Sequence, residues 1–178
     1  NITESRKPLG RKAYGSIAHL PGSRLGPGDH HVEAGQGIIC LEKTRDWKDI
    51  IIIQEKLDGS NCAVAKVNGK IMPLTRAGYV ASTSPYEQHM FFFNWVYEQY
   101  NRFDALLVEG ERVVGEWLAL AHGTKYNLIH EPFVVFDIMT EDKRLTYGEF
   151  IKRVLKYDFI IPNLINYGQP MTIKEAMK

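Results

Sequence analysis

The apolar run Ile50 to Ile53 opens a β-branched segment that reaches Leu57 and predicts a buried strand. The segment breaks at Asp58-Gly59 and resumes as Cys62-Ala-Val-Ala-Lys-Val67, a second strand. Asn68-Gly69 follows as a two-residue hairpin signal, and Ile71 to Thr75 should pair back. From Pro85-Tyr86-Glu87 to Asn101 the apolar and aromatic positions take a helical period, with Pro near the first turn. In that helix Phe91, Phe92, Phe93 and Trp95 read as core or interface. Arg112 to Leu118 and Phe133 to Ile138 predict two further buried strands. Thr146 to Lys156 predicts a short helix opened by a Thr146…Glu149 capping box. Strands dominate, hairpins connect them and no βαβ rhythm appears, so the fold class is α+β with mainly antiparallel sheets.

The loosest stretch is residues 21–37, with five glycines, two prolines and the pair His30-His31. It reads as a long loop joining an N-terminal segment to the main sheet. The two histidines lack spaced partner ligands, which favours a solvated loop over a metal site. The 178 residues fit one domain. Net charge is +1, from 22 basic and 21 acidic residues, so only a local basic patch could argue for nucleic acid. Cys40 and Cys62 form neither a disulfide framework nor a metal-ligand spacing, and a reducing cytoplasm is the default expectation. No apolar run approaches membrane-spanning length, so no membrane is expected as a partner. The N-terminal residues lack the apolar core of a signal peptide, and the absence of an initiating Met implies trimming or processing.

Candidate chemistry concentrates in Glu55-Lys56-Leu57-Asp58-Gly59-Ser60-Asn61. A lysine at the end of a buried strand is expected to have a lowered pKa, which makes its free amine available as a nucleophile. Gly59 lets backbone approach a ligand closely, and Asp58 and Asn61 can orient the turn or a phosphate. A plain solvated Asp-Gly turn stands as the alternative on these seven residues alone.

The segment resembles the K-x-D-G nucleotidyl-lysine motif of the superfamily that holds DNA ligases, RNA ligases and mRNA capping enzymes. Three later segments are similar to that superfamily in the same order. They are Thr75-Arg76-Ala77-Gly78, Val114-Gly115-Glu116-Trp117-Leu118, and Phe133-Val-Val-Phe136-Asp137-Ile138. Together they extend the resemblance over roughly residues 11 to 165 and over the expected nucleotidyltransferase domain, residues 1–178. Asn61 stands where DNA ligases and capping enzymes usually carry arginine, and the run from Gly115 to Tyr126 looks like bacterial and phage RNA-ligase proteins. The resemblance therefore favours an ATP-dependent RNA ligase over a DNA ligase or a capping guanylyltransferase.

It implies that Lys56 becomes covalently attached to AMP, with ATP and Mg²⁺ as cofactors. The substrate it implies is RNA bearing 5′-phosphate and 3′-hydroxyl ends. Glu55 would lie beside the adenine, or be an ordinary strand-end carboxylate. Asp58, Gly59 and Asn61 would shape the turn and orient ribose or a hydrated metal. Arg76 would grip phosphate through its guanidinium fork. Glu116 would meet a ribose hydroxyl or hydrated Mg²⁺, with a structural salt bridge as its alternative. Phe136 would stack on the base. His122, Lys125 and Tyr126, on an expected loop, are left outside the site.

Two motifs that the family needs are not found. Glu109-Gly110 precedes Glu116 and so stands in the wrong order, and Lys174 and Lys178 lie in a polar helix-like tail where a lysine-bearing strand is expected. Two expectations follow: the residues are a fragment with an open sheet edge beside the nucleotide, or they form a catalytically inactive nucleotide- or RNA-binding module.

Overall fold

Alternation in residues 60–67 sends successive side chains to opposite sides of a sheet. In the computed structural model, which describes residues 7–119 and 129–178, this segment is the second strand of the chain. The strands are β1 (Ile51–Gln54), β2 (Ser60–Val67), β3 (Lys70–Thr75), β4 (Glu111–Trp117), β5 (Phe133–Thr140), β6 (Lys143–Arg144) and β7 (Leu164–Gly168). The helices are α1 (Ala34–Leu41), α2 (Glu87–Glu98), α3 (Tyr100–Leu106), α4 (Tyr147–Lys156) and α5 (Ile173–Ala176). The expected α+β class with antiparallel sheets and flanking helices is what forms. The chain divides into two compact units, one of residues 1–15 and 57–161 and one of residues 16–56 and 162–178.

The larger unit is built on a five-stranded antiparallel sheet in the order β3-β2-β4-β5-β6. Asn68 and Gly69 both take positive φ, 52° and 71°, as a primed hairpin turn between β2 and β3 requires. Glu109 clasps this turn by accepting from the amides of Asn68 (2.5 Å) and Gly69 (3.0 Å). One face of the sheet carries Cys62, Val64, Val113, Trp117, Phe133, Val135 and Ile138 into the main core, where α2, α3 and α4 bring Phe92, Val96, Phe103, Phe150 and Val154. The opposite face carries Ala63, Ala65, Leu74, Val114 and Met139 under the N-terminal residues Ala13 and Tyr14.

The helix expected from Pro85 to Asn101 forms as two, α2 and α3, broken at Gln99 (φ −100°, ψ 18°). The break turns Phe103 and Leu106 toward the same core that Phe92 and Val96 enter. α4 carries the expected capping box: Thr146 accepts from the Glu149 amide and Glu149 accepts from that of Thr146, both at 3.3 Å. The outer edge of β5 is covered at Val135, whose amide donates to Ile160, and again from Ile138 onward by Leu145 and β6.

The smaller unit corrects two expectations. The Ile50–Leu57 run is not a buried strand of the main sheet. Its β1 pairs only with β7, and a two-stranded ribbon hides one side at most, so Ile51 is buried while Ile50 and Ile52 are exposed. The loop expected over residues 21–37 ends earlier, because Ala34 to Gly37 form the first turn of α1. Gly37 is buried there, next to the side chains of Ile173 and Val32. Met171 donates to the Leu41 carbonyl (2.9 Å) and Ile173 to the Glu42 carboxylate (2.8 Å), tying the tail to the end of α1. His30 and His31 are exposed, and His31 Nε2 bonds the Ser23 carbonyl at 2.8 Å. Among the described residues no helix is long and apolar enough to cross a membrane.

In the larger unit Arg153 grips the buried Glu111 through both carboxylate oxygens, at 2.7 and 2.8 Å. Burial pushes the Glu111 pKa up, but the Arg153 and Val108 N–H donors outweigh it, and the net shift is downward. A depressed carboxylate pKa contributes stability above its unfolded value and loses it as pH falls through the folded value. Arg153→Met should therefore destabilise the chain at pH 7 by about 3 kcal/mol, since it strands a buried carboxylate. Urea unfolding measured from pH 7 down to acid should show the wild type losing this advantage and the variant showing a shallower slope.

Candidate active site

Register brings three of the sequence-predicted residues to one face of the larger unit. Asn61 on β2 is the direct cross-strand partner of Glu116 on β4, and Glu116 in turn faces Val134 on β5. By alternation Asn61 shares the face of Ala63 and Ala65, and Glu116 that of Val114. Gly59, just before β2, closes the arrangement: its amide donates to Glu116 Oε1 at 3.0 Å. Its backbone runs so near β4 that a Cβ would stand 2.5 Å from the Trp117 carbonyl oxygen.

Phe136 reaches the same face by a bulge. Pairing between β4 and β5 passes from Val114↔Asp137 directly to Gly115↔Val135, leaving Phe136 as the extra residue. An extra residue resets the pleat. Val135 and Ile138 enter the main core, while Phe136 packs with the smaller cluster. Tyr14 packs its ring edge-on to Phe136 (centroids 5.3 Å apart, planes at 71°), and its hydroxyl donates to Asp137 at 2.6 Å.

Asp137 was not among the residues expected in the site, although it directly follows Phe136 in the same motif. Burial raises its pKa, and the Tyr14 hydroxyl and Arg144, the latter 3.6 Å away, oppose that rise. Burial and the bond to Asp137 push the Tyr14 phenol up as well. The signal in the sequence was the Phe-Asp pair itself; what it lacked was the bulge, which puts two consecutive side chains on one side.

Arg76 immediately follows β3 on a tight turn, in which the Gly78 amide donates to the Thr75 carbonyl and that of Thr75 to the Tyr79 carbonyl, both at 2.9 Å. Its own carbonyl accepts from the Ala13 amide at 3.0 Å. The Arg76 side chain is exposed and, with Asn61, lines a cleft of about 650 Å³ that continues past Ser84 and Tyr86 to His89. Burial lowers the His89 pKa, so the ring is neutral at pH 7. The buried Asn61 Oδ1 has no hydrogen-bond partner among the described residues, and a polar atom so placed favours a donor from a bound ligand or water.

Glu55 and Lys56 fall in the smaller unit, whose boundary lies between Lys56 and Leu57. Both side chains are exposed, so burial in their own strand does not supply the desolvation expected for Lys56. Asn163 holds Glu55 twice: its side-chain amide donates to Oε2 at 2.8 Å, and its carbonyl accepts from the Glu55 amide at 2.9 Å. Asp58 is exposed on the turn. His122, Lys125 and Tyr126 lie outside the described residues. Among the described residues no three His, Cys, Asp or Glu side chains converge as a metal site.

The RNA ligase family model matches residues 49–177, well over half of the chain. The chain belongs to the RNA ligase family. The matched segment begins later and ends later than the 11–165 span over which the motifs were read. No curated protein matches the sequence. An archaeal ATP-dependent RNA ligase (form 2) is 21% identical with a TM-score of 0.53, over 73% of this chain and 34% of that one. A Naegleria gruberi RNA ligase solved with PPi is 18% identical with a TM-score of 0.49, over 70% of this chain and 39% of its own. The first likeness shows a shared ligase nucleotidyltransferase fold. This chain spans about a third of that solved protein's length.

The Gly59 turn yields a direct check. Gly59→Ala must push its methyl group against the β4 backbone and loosen the bond to Glu116, a steric conflict typically costing about 1–3 kcal/mol. Urea denaturation should show a matching loss, and Ser60→Ala, which adds no volume, should not.

Proposed function

We propose that this RNA ligase family chain carries out nucleotidyl transfer through Lys56, using ATP to activate RNA 5′-phosphate ends for joining to 3′-hydroxyls. The supporting observation is the convergence of Gly59, Asn61, Glu116 and Phe136 on one sheet face, directly downstream of the Lys56-Leu57-Asp58-Gly59 motif.

Three displacements at phosphorus make up the reaction. The free amine of Lys56 bonds to the α-phosphorus of ATP, the bond to the bridging oxygen breaks, pyrophosphate leaves and the amine gives up a proton. A 5′-phosphate oxygen of the RNA then takes the adenylyl group and the lysine nitrogen departs. Last, a 3′-hydroxyl bonds to the activated 5′-phosphorus, losing its proton, and AMP leaves. Chemistry of this kind asks the protein to position groups and to neutralise charge.

Phe136 offers a ring face to adenine beside Tyr14, and Asn61 offers a buried amide oxygen to a donor. Glu116, oriented by the Gly59 amide, is suited to a ribose hydroxyl or to a water on Mg²⁺. Mg²⁺ keeps several waters and needs only one or two carboxylates besides substrate phosphates, which fits a site without a three-residue cage. When bound it would supply charge neutralisation at the phosphates. On this reading Glu55, held by Asn163, would read the adenine amino group, and Arg76 and Asp58 would hold phosphate and metal water.

Incubation with radiolabelled ATP, with GTP alongside, followed by denaturing electrophoresis, tests the nucleophile. The wild type should carry label from ATP, and Lys56→Ala should carry none; full labelling of that variant would refute the assignment. Glu116→Ala should fold, since it removes a polar group, yet lose on the order of a hundredfold in adenylylation rate. Unchanged activity and unchanged Mg²⁺ dependence would return Glu116 to a purely structural role on the Gly59 turn.

A further inference from the structure

The cleft that begins at Asn61 and Arg76 does not end with phosphate-binding groups. Its lining also carries the rings of Tyr79, Tyr86 and His89. Tyr86 stands at the N-terminal boundary of α2 with 60% of its surface exposed, and His89, one turn on, meets it edge-to-face (centroids 5.8 Å apart, planes at 89°). Ser84 ties the pair together: its Oγ accepts from the Tyr86 amide at 3.2 Å and bonds His89 Nδ1 at 2.6 Å. The two rings are thus held at a fixed mutual angle before anything binds. More than half of the Tyr86 surface stays open to a ligand beside the His89 contact.

Resting on the RNA-ligase reading above, we infer that Tyr86 is a stacking platform for the terminal nucleobase of the RNA strand whose 5′-phosphate lies toward Arg76 and Asn61. The lining offers groups for both halves of a nucleotide. A guanidinium suits the phosphate, and a fixed aromatic face with a neutral imidazole at its edge suits a base. A cleft of about 650 Å³ has the size of a small-ligand site. Stacking does not distinguish bases, so the platform would fix the position of the strand end without selecting its sequence.

The test uses a short single-stranded RNA with a 5′-phosphate and 2-aminopurine as its first base, titrated into wild type, Tyr86→Ala and Tyr86→Phe. Thermal melts establish that each variant is folded. Wild type and Tyr86→Phe should quench the 2-aminopurine on binding, while Tyr86→Ala should lose the quench and bind about tenfold or more weakly. Moving the 2-aminopurine to an internal position should abolish the quench in wild type. The inference is overturned if Tyr86→Ala binds and quenches like wild type, if Tyr86→Phe behaves like Tyr86→Ala, or if the wild type does not bind the RNA. Labelling of the wild type by ATP, run in parallel, judges the ligase reading separately: RNA stacking without lysine adenylylation would sink that reading and leave the platform standing.

Discussion

Everything in the larger unit hangs on strand β4, which is bonded along its length to β2 on one side and β5 on the other. The pairing with β5 closes only because Gly115 has no side chain: a Cβ there would stand 2.8 Å from the Phe133 ring and still closer to the Val134 carbonyl. With that contact made, Phe133 sits against Phe92 and Trp95, at centroid distances of 5.0 and 5.9 Å, and the main core fills. Glu116, the next residue, is then fixed opposite Asn61 by backbone pairing before its own side chain makes any bond. The core and the candidate active site are two readouts of one register.

Strong local periodicity made most of this legible in advance. β2, β3, β4, β5 and α4 follow from alternation, from Asn68-Gly69 and from the Thr146–Glu149 box, each of which acts over a few residues. The motifs around Gly59, Asn61, Glu116 and Phe136 could be set in order along the chain, and their meeting on one face needed only the register. What the sequence hid was non-local. The partner of β1 lies more than a hundred residues away at β7, so a run of isoleucines could not reveal whether one neighbour or two would cover it. Gly37 reads as a loop residue because its spacing gives no hint of Ile173. Asp137 was passed over because strict alternation would have pointed it into the core.

The site residues differ in how they are held. Glu116 and Asn61 are locked by paired strands, Glu55 by two bonds to Asn163, and the Arg76 backbone by the bond from the Ala13 amide to its carbonyl. Groups that define a fixed nucleotide gain from rigid mounting.

The bulge at Phe136 makes the length of β5 a matter of parity. Phe133 and Val135 enter the main core and so does Ile138, three residues after Val135, where an unbroken pleat would demand an even interval. A single-codon deletion anywhere between Val135 and Ile138 would restore regular alternation, and one side chain of the Phe136–Asp137 pair would vanish from the face they share. This short stretch should therefore tolerate almost no change in length.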